Sequence, residues 1–165
     1  MNSSGEALEV TIGQLLRKHR LTLATAESCT GGLIGHRLTD VSGSSDYFLG
    51  GIIAYSNEIK ERLLGVKLET LQAHGAVSAE TAIEMARGAG RVLGADVAVS
   101  VTGIAGPGGG TADKPIGLTY VAVVAANYER VERFVWGKDR SGNKWDSSEA
   151  ALRMLKEYLG SISVS

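Results

Sequence analysis

Apolar residues recur at helical spacing near the start of the chain. Leu8, Ile12, Leu15 and Leu16 share one face of residues 6–19, which predicts an amphipathic helix. Residues 21–26 form a short, mostly apolar run that predicts a strand, and residues 33–38 return to helical patterning. Between them lies the turn 27–32, Glu-Ser-Cys-Thr-Gly-Gly. After a polar loop at 42–46, the apolar run 51–55 predicts a second, buried strand. Asn57 fits the N-cap of a helix over 58–64 that Gly65 ends, and residues 68–74 predict a short helix. Ser78 fits the cap of a long helix over 79–93 that Gly94 ends. The β-branched run 96–101 predicts a strand. Residues 117–126 and 130–136 predict an antiparallel hairpin turning near Asn127. Ala151, Leu152, Leu155 and Leu159 mark one face of a closing helix over 144–159.

Strands alternate with helices up to the terminal hairpin. This predicts an α/β fold: a three-layer α/β/α sandwich with a mainly parallel, partly mixed sheet and a C-terminal antiparallel hairpin, in one domain spanning 1–165. Such sheets bind ligands beyond the carboxyl ends of their strands. Residues 27–32, 55–60 and 102–110 fall at those ends.

Composition sharpens this placement. The chain has 22 glycines in 165 residues but only two prolines, about twice the usual ~7% glycine. Five of the 22 lie in 103–110 and three in 31–35, both just after predicted strands. The net charge is −1 with no long basic run, which argues against a nucleic-acid partner. No apolar stretch approaches the roughly 18 residues a membrane span needs. The stretch 1–6 lacks the basic and apolar regions of a secretory leader, so the expected location is cytoplasmic. Cys29 is the single cysteine, and His19, His36 and His74 are far apart. No internal disulfide is possible, and neither a metal site nor a cofactor is expected.

The turn 27–32 is the first chemical candidate. Gly31 and Gly32 allow close backbone approach, and a helix start offers unpaired N–H groups to a phosphate or oxyanion. Ser28 stands where a nucleophile would use such donors; the competing reading is that Ser28 or Thr30 simply caps the helix. Cys29 is a rival nucleophile, because a helix N-terminus lowers a thiol pKa, but no histidine partner is evident. Tyr55 and Lys60 form the second candidate. A serine needs a base, and a desolvated lysine can serve with Tyr55 relaying a proton. The alternative is a solvated lysine beside Glu61. The third candidate is Thr102-Gly103-Ile104-Ala105-Gly106-Pro107-Gly108-Gly109-Gly110, whose successive N–H groups can cradle an anion but which matches neither the P-loop nor the Rossmann pattern. Its alternative is a flexible surface loop. Arg140 offers forked donors to an anionic ligand, or a surface ion pair to Asp139 or Asp146. Tyr47 and Phe48 are ring-contact candidates for which core packing is the simpler reading.

Residues 26–32 (AESCTGG), 55–60 (YSNEIK), 74–78 (HGAVS) and 101–109 (VTGIAGPGG) together resemble the CinA C-terminal-domain family, over roughly residues 6–160. That resemblance implies an amidohydrolase of pyridine nucleotide recycling, converting nicotinamide mononucleotide to nicotinate mononucleotide and ammonia. It implies a Ser–Lys acyl-enzyme mechanism without cofactor: Ser28 as nucleophile, Lys60 as base, Tyr55 assisting. Thr102, Gly103, Ile104, Ala105, Gly106, Gly108, Gly109 and Arg140 are the implied substrate contacts, and the N–H groups of the first turn add Thr30, Gly31 and Gly32 as expected substrate contacts. It also implies a homodimer or higher homo-oligomer, with a small mononucleotide as partner and neither nucleic acid nor membrane. The chain departs from the family's Gly-Asp-Arg segment, reading Gly137-Lys138-Asp139-Arg140. Some relatives carry a large N-terminal domain, whose activities do not transfer here. The alternatives are a non-catalytic nucleotide-binding or regulatory module, which would need the glycine loop but not the base, and a structural subunit acting through protein contacts.

Overall fold

Residues 5–163 are described by a computed structural model; residues 1–4, part of the stretch read above for a leader, and residues 164 and 165 lie outside the described residues. In chain order the elements are α1 (Leu8–His19), β1 (Leu23–Glu27), α2 (Leu33–Thr39), a 3₁₀ turn (Ser44–Asp46), β2 (Phe48–Ile53), α3 (Asn57–Leu64), α4 (Leu68–His74), α5 (Ala79–Leu93), β3 (Val97–Gly103), β4 (Leu118–Ala125), β5 (Tyr128–Val135) and α6 (Arg140–Ser161). One sheet runs β2-β1-β3-β4-β5. Its β2–β1 and β1–β3 pairs are parallel, and β3–β4 and β4–β5 are antiparallel. Glu27 stands opposite both Ile53 and Val101, so β1 and β2 end level while β3 runs two residues further, to Gly103.

Strand pleating divides the core between the two faces. Val97, Val99 and Val101 point with Leu23 into a cluster built with α1, α2 and α6. Ala24, Ala26 and Ala98 point the other way, toward α3 and α5. Small residues on that second face let α5 lie close. Gly88 of α5 rests on the end of α3, where an added Cβ would stand 2.0 Å from the Leu64 carbonyl oxygen. Tyr47 is fully buried in the first cluster and Phe48 packs against it, so both rings serve the core.

Several boundaries differ from the pattern's reading. The second strand starts at Phe48 rather than 51, because Phe48 already pairs with Leu23, and it ends before Ala54. Ser56, not Asn57, caps α3, its hydroxyl accepting the Ile59 N–H at 3.2 Å. The last helix begins at Arg140 rather than 144, because Asp139 accepts the Gly142 N–H at 2.8 Å and so tolerates glycine in the first turn. Neither Ser28 nor Thr30 caps α2. Its N-cap is Gly32, left-handed at φ 103° with no side-chain cap. No helix among the described residues is long and apolar enough to cross a membrane.

Candidate active site

The ends of β1 and β3, the chain beyond β2 and the start of α6 surround a cavity of about 260 Å³ lined by Ser28, Tyr55, Lys60, Thr102, Arg140 and the loop 103–109, among others. A larger recess of about 530 Å³ lies between β5 and α6. Its walls are aromatic rings and ion-paired side chains, with no serine, threonine or cysteine beside a base. Chemistry rather than size singles out the smaller cavity.

Its centre is a nucleophile–base pair. The Lys60 Nζ donates to Ser28 Oγ at 3.0 Å and to the Ala54 carbonyl at 2.8 Å. Lys60 is 1% exposed and Ser28 is 8% exposed. The solvated-lysine reading is therefore overturned: the Ser56 cap turns the first coil of α3 so that Lys60 faces the sheet with Leu64, while Glu58 and Glu61 face water. Burial lowers the Lys60 pKa, and only negative charge on Cys29 opposes it. A lysine that gives up its proton easily, bonded to a serine hydroxyl, has the geometry of a general base on its nucleophile.

Cys29 behaves opposite to the expectation of an activated thiol. Burial, and then the charge of Glu27, push its pKa up to about 12. The helix terminus that was to activate it is already filled. The Glu27 carboxylate accepts the N–H groups of Ile34 at 2.9 Å and Gly35 at 3.1 Å, and the Thr30 hydroxyl at 2.7 Å. The amino end of α2 is thus closed to a substrate anion. Thr30, Gly31 and Gly32 do not line the cavity. They form the turn: the Gly31 N–H bonds the Ser28 carbonyl at 3.1 Å, and both glycines have positive φ. The Cys29 and Thr30 amides donate to no backbone carbonyl among the described residues.

Thr102 is 1% exposed, and its hydroxyl donates to the Ala76 carbonyl at 2.7 Å. That bond brings Ala76 and Val77 to the cavity wall. The following loop is shaped rather than floppy. An added Cβ at Gly103 would stand 2.7 Å from Thr119 Oγ1 and 2.8 Å from the Leu118 carbonyl oxygen. From α6, Asn143 Nδ2 holds the Ala105 carbonyl at 3.0 Å and Arg140 Nη1 holds the Gly106 carbonyl at 2.8 Å. The Ala105–Gly106 peptide is trans, so the Gly106 N–H points opposite to the held Ala105 carbonyl and away from α6.

Arg140 makes neither ion pair anticipated for it. Asp139 caps α6 and Asp146 pairs with Lys138 at 2.9 Å. Its second nitrogen donates to the Tyr55 hydroxyl at 3.0 Å. The Tyr55 hydroxyl therefore bonds Arg140 rather than Lys60, and the residue is 64% exposed at the cavity mouth. Arg140 keeps an uncompensated charge there, since no carboxylate among the described residues is within ion-pair distance. Sequence reasoning missed Glu27 and Asn143. A polar residue just inside a helix start, four before a serine, is a weak signal for Asn143; for Glu27 the signal is a carboxylate shortly before a helix whose cap position is glycine.

The family profile described as CinA C-terminal domain matches residues 5–159. A CinA-like protein of Chlorobaculum tepidum is 54% identical over 158 residues, covering 93% of this chain and 37% of that protein. A CinA-like protein of Chloroherpeton thalassium is 51% identical over 156 residues, covering 92% of this chain and 37% of that protein. The chain spans little more than a third of the length of the curated relatives it matches. Among solved structures, the competence/damage inducible protein CihA from Agrobacterium tumefaciens has a TM-score of 0.87 at 40% identity, covering 97% of this chain and 99% of that one. The competence damage-inducible protein A (ComA) from Klebsiella pneumoniae has a TM-score of 0.91 at 31% identity, covering 94% and 97%.

Proposed function

The chain belongs to the CinA C-terminal domain family, and from that premise we propose that it is an amidohydrolase that converts nicotinamide mononucleotide to nicotinate mononucleotide and ammonia. The observation that carries the reading is the buried Lys60–Ser28 hydrogen bond. A binding module needs the glycine loop but has no use for a desolvated lysine bonded to a serine.

The Lys60–Ser28 geometry supports the following mechanism. Neutral Lys60 takes the Ser28 proton as Oγ attacks the carboxamide carbon. The oxyanion is held by the amide of Cys29, which lines the cavity, not by α2, whose end Glu27 fills. Such a donor is worth roughly 3–4 kcal/mol in a well-studied protease. Lys60 ammonium then protonates the departing nitrogen, ammonia leaves and an acyl-serine remains. Water attacks the ester while Lys60 takes its proton, and that proton returns to Ser28. Arg140 and the N–H groups of Ala105, Gly106, Gly108 and Gly109 hold the phosphate, and Tyr55 offers its ring to the nucleotide at the mouth. The enzyme works in the cytoplasm, as a homodimer or larger homo-oligomer.

Ammonia release from nicotinamide mononucleotide, with nicotinamide riboside as the control lacking phosphate, tests this. Turnover of the mononucleotide that disappears in Ser28→Ala supports it. Tight nucleotide binding without ammonia release from the wild type would replace it with the regulatory-module reading.

A further inference from the structure

We propose that Glu27 is a positioning residue for Ser28: by closing the amino end of α2 it locks the turn that presents the serine to Lys60. The proposal rests on the serine–lysine reading above and adds a residue to it.

Strand pleating sets up the division of labour. Glu27, at the last position of β1, lies on the face of Leu23 and α2, and Ser28, one residue on, turns to the face of α3 and Lys60. Glu27 is 2% exposed and has no cation within ion-pair distance among the described residues. A buried carboxylate is costly unless it is well hydrogen-bonded. Here three donors meet it, two of them N–H groups at the positive end of a helix.

A local cap would have satisfied α2 more simply. Serine or aspartate at the cap position bonds the helix without touching anything upstream. Position 32 is instead a glycine at φ 103°, and the helix is satisfied from residue 27, across the whole turn. The carboxylate therefore ties both ends of Ser28-Cys29-Thr30-Gly31 together, and its bond to Thr30 grips the middle.

The main chain of the same residue grips the base. The Glu27 carbonyl accepts the Ala54 N–H at 2.8 Å, the Ala54 carbonyl accepts Lys60 Nζ, and Lys60 Nζ reaches Ser28 Oγ. This closes a ring through Glu27, Ala54, Lys60 and Ser28. With the Ser28 N–H bonded to the Val101 carbonyl at 3.0 Å, the serine backbone is fixed on both sides. Burial keeps Cys29 a thiol, with the Glu27 charge adding to it, and a neutral Cys29 leaves Lys60 free to be neutral. Misplacement of a reacting group by about 1 Å costs on the order of 100-fold in rate.

The test reads Ser28 directly, without the nucleotide. An alkyl fluorophosphonate labels an activated serine: the Oγ–P bond forms, fluoride leaves and Lys60 takes the proton. Labelling of Ser28 is followed by mass spectrometry in the full chain for wild type, Glu27→Gln and Thr30→Val. Gln presents an N–H₂ group to donors, so it breaks the closure while keeping the shape. Expected are full labelling of Glu27→Gln at a rate about 100-fold lower, a smaller loss for Thr30→Val, and a parallel fall in kcat with KM within about threefold. Glu27→Gln labelled at the wild-type rate overturns the proposal, as does labelling of only a fraction of molecules at that rate, which marks a folding fault. If Glu27→Gln does not fold, Thr30→Val decides by the same criteria. A wild type that is never labelled removes the serine–lysine reading and this proposal with it; a labelled wild type that releases no ammonia removes only the substrate assignment.

Discussion

Two glycine-bearing turns follow parallel strands in this molecule, and they solve opposite problems. The turn after β1 is closed by its own chain: Glu27 fills the helix end, and Gly31 and Gly32 supply positive φ rather than contact with the cavity. The loop after β3 is held from outside by Asn143 and Arg140 of α6, and its glycines line the cavity. One turn aims a side chain; the other offers backbone. Glycine after a strand thus marks either a chain that must bend sharply or a chain a ligand must approach, and the fate of the nearby N–H groups tells which. On the proposed function the first turn carries chemistry and the second carries binding, and mutations can separate the two.

The largest effects belong to the first turn. Ser28→Ala is expected to lower kcat by about 1,000-fold or more while leaving the nucleotide Kd, read by calorimetry, within about threefold. A Kd that rose with the loss of rate would erase the division between the turns. Lys60→Met is expected to cost roughly 100- to 10,000-fold in kcat. In the wild type, kcat/KM is expected to rise with pH through a group below the ordinary lysine value of about 10.4, because the neutral amine is the active form and burial lowers its pKa. Linkage has the same origin. Between the lowered folded pKa and the unfolded value the unfolded chain binds more protons, so stability rises with pH across that window. The Tm of wild type relative to Lys60→Met should therefore climb as pH increases toward 10, and a difference independent of pH would mean that Lys60 is not desolvated.

The same contrast explains what could be read without a structure. Helix periodicity and glycine stops located the six α-helices among the described residues, apart from the first turn of α6, and alternation of strands and helices gave the layered sheet. Ser28, Lys60 and the 102–110 loop stood out because they follow strands, and the shared carboxyl edge of a parallel sheet brings such segments together whatever their separation. Local pattern alone could not bury Lys60: its sequence neighbours Glu58 and Glu61 read as a solvated face, and its orientation depends on a cap at Ser56. Nor could it reveal Glu27 or Asn143. The first acts only because Gly32 is left-handed, and the second reaches a carbonyl 38 residues away. Arg140 lines the cavity, yet its partners, Tyr55 and Gly106, lie 85 and 34 residues distant.

Effects of middle size belong to the second loop. Asn143→Ala removes the donor on the Ala105 carbonyl and leaves that oxygen without its partner, a change worth about 1–3 kcal/mol. The loop loses its hold on α6, so KM for the mononucleotide is expected to rise on the order of tenfold with kcat within about threefold. Steady-state kinetics decide this. A fall in kcat with unchanged KM would mean that the loop serves the chemistry and that the two turns are not divided as argued.

The smallest effects should come from the loop's outermost glycine, and they sharpen the comparison within the loop itself. An added methyl at Gly103 meets Thr119 and Leu118 at under 3 Å, whereas at Gly108 it meets nothing within 4 Å. Gly108 also keeps an ordinary φ, unlike Gly106 and Gly109. Gly103→Ala must therefore shift β3 against β4 and is expected to lower stability by about 1–3 kcal/mol. Gly108→Ala should change stability by less than about 0.5 kcal/mol, a Tm shift of no more than about 2 °C in a chain of this size. Yet Gly108 lines the cavity, and a methyl placed there narrows the space for a ligand. A variant that melts like the wild type but binds the mononucleotide more weakly would separate glycine kept for ligand approach from glycine kept for packing. Unchanged binding would move the phosphate off the outer loop and leave it to Arg140 and the Ala105 and Gly106 amides.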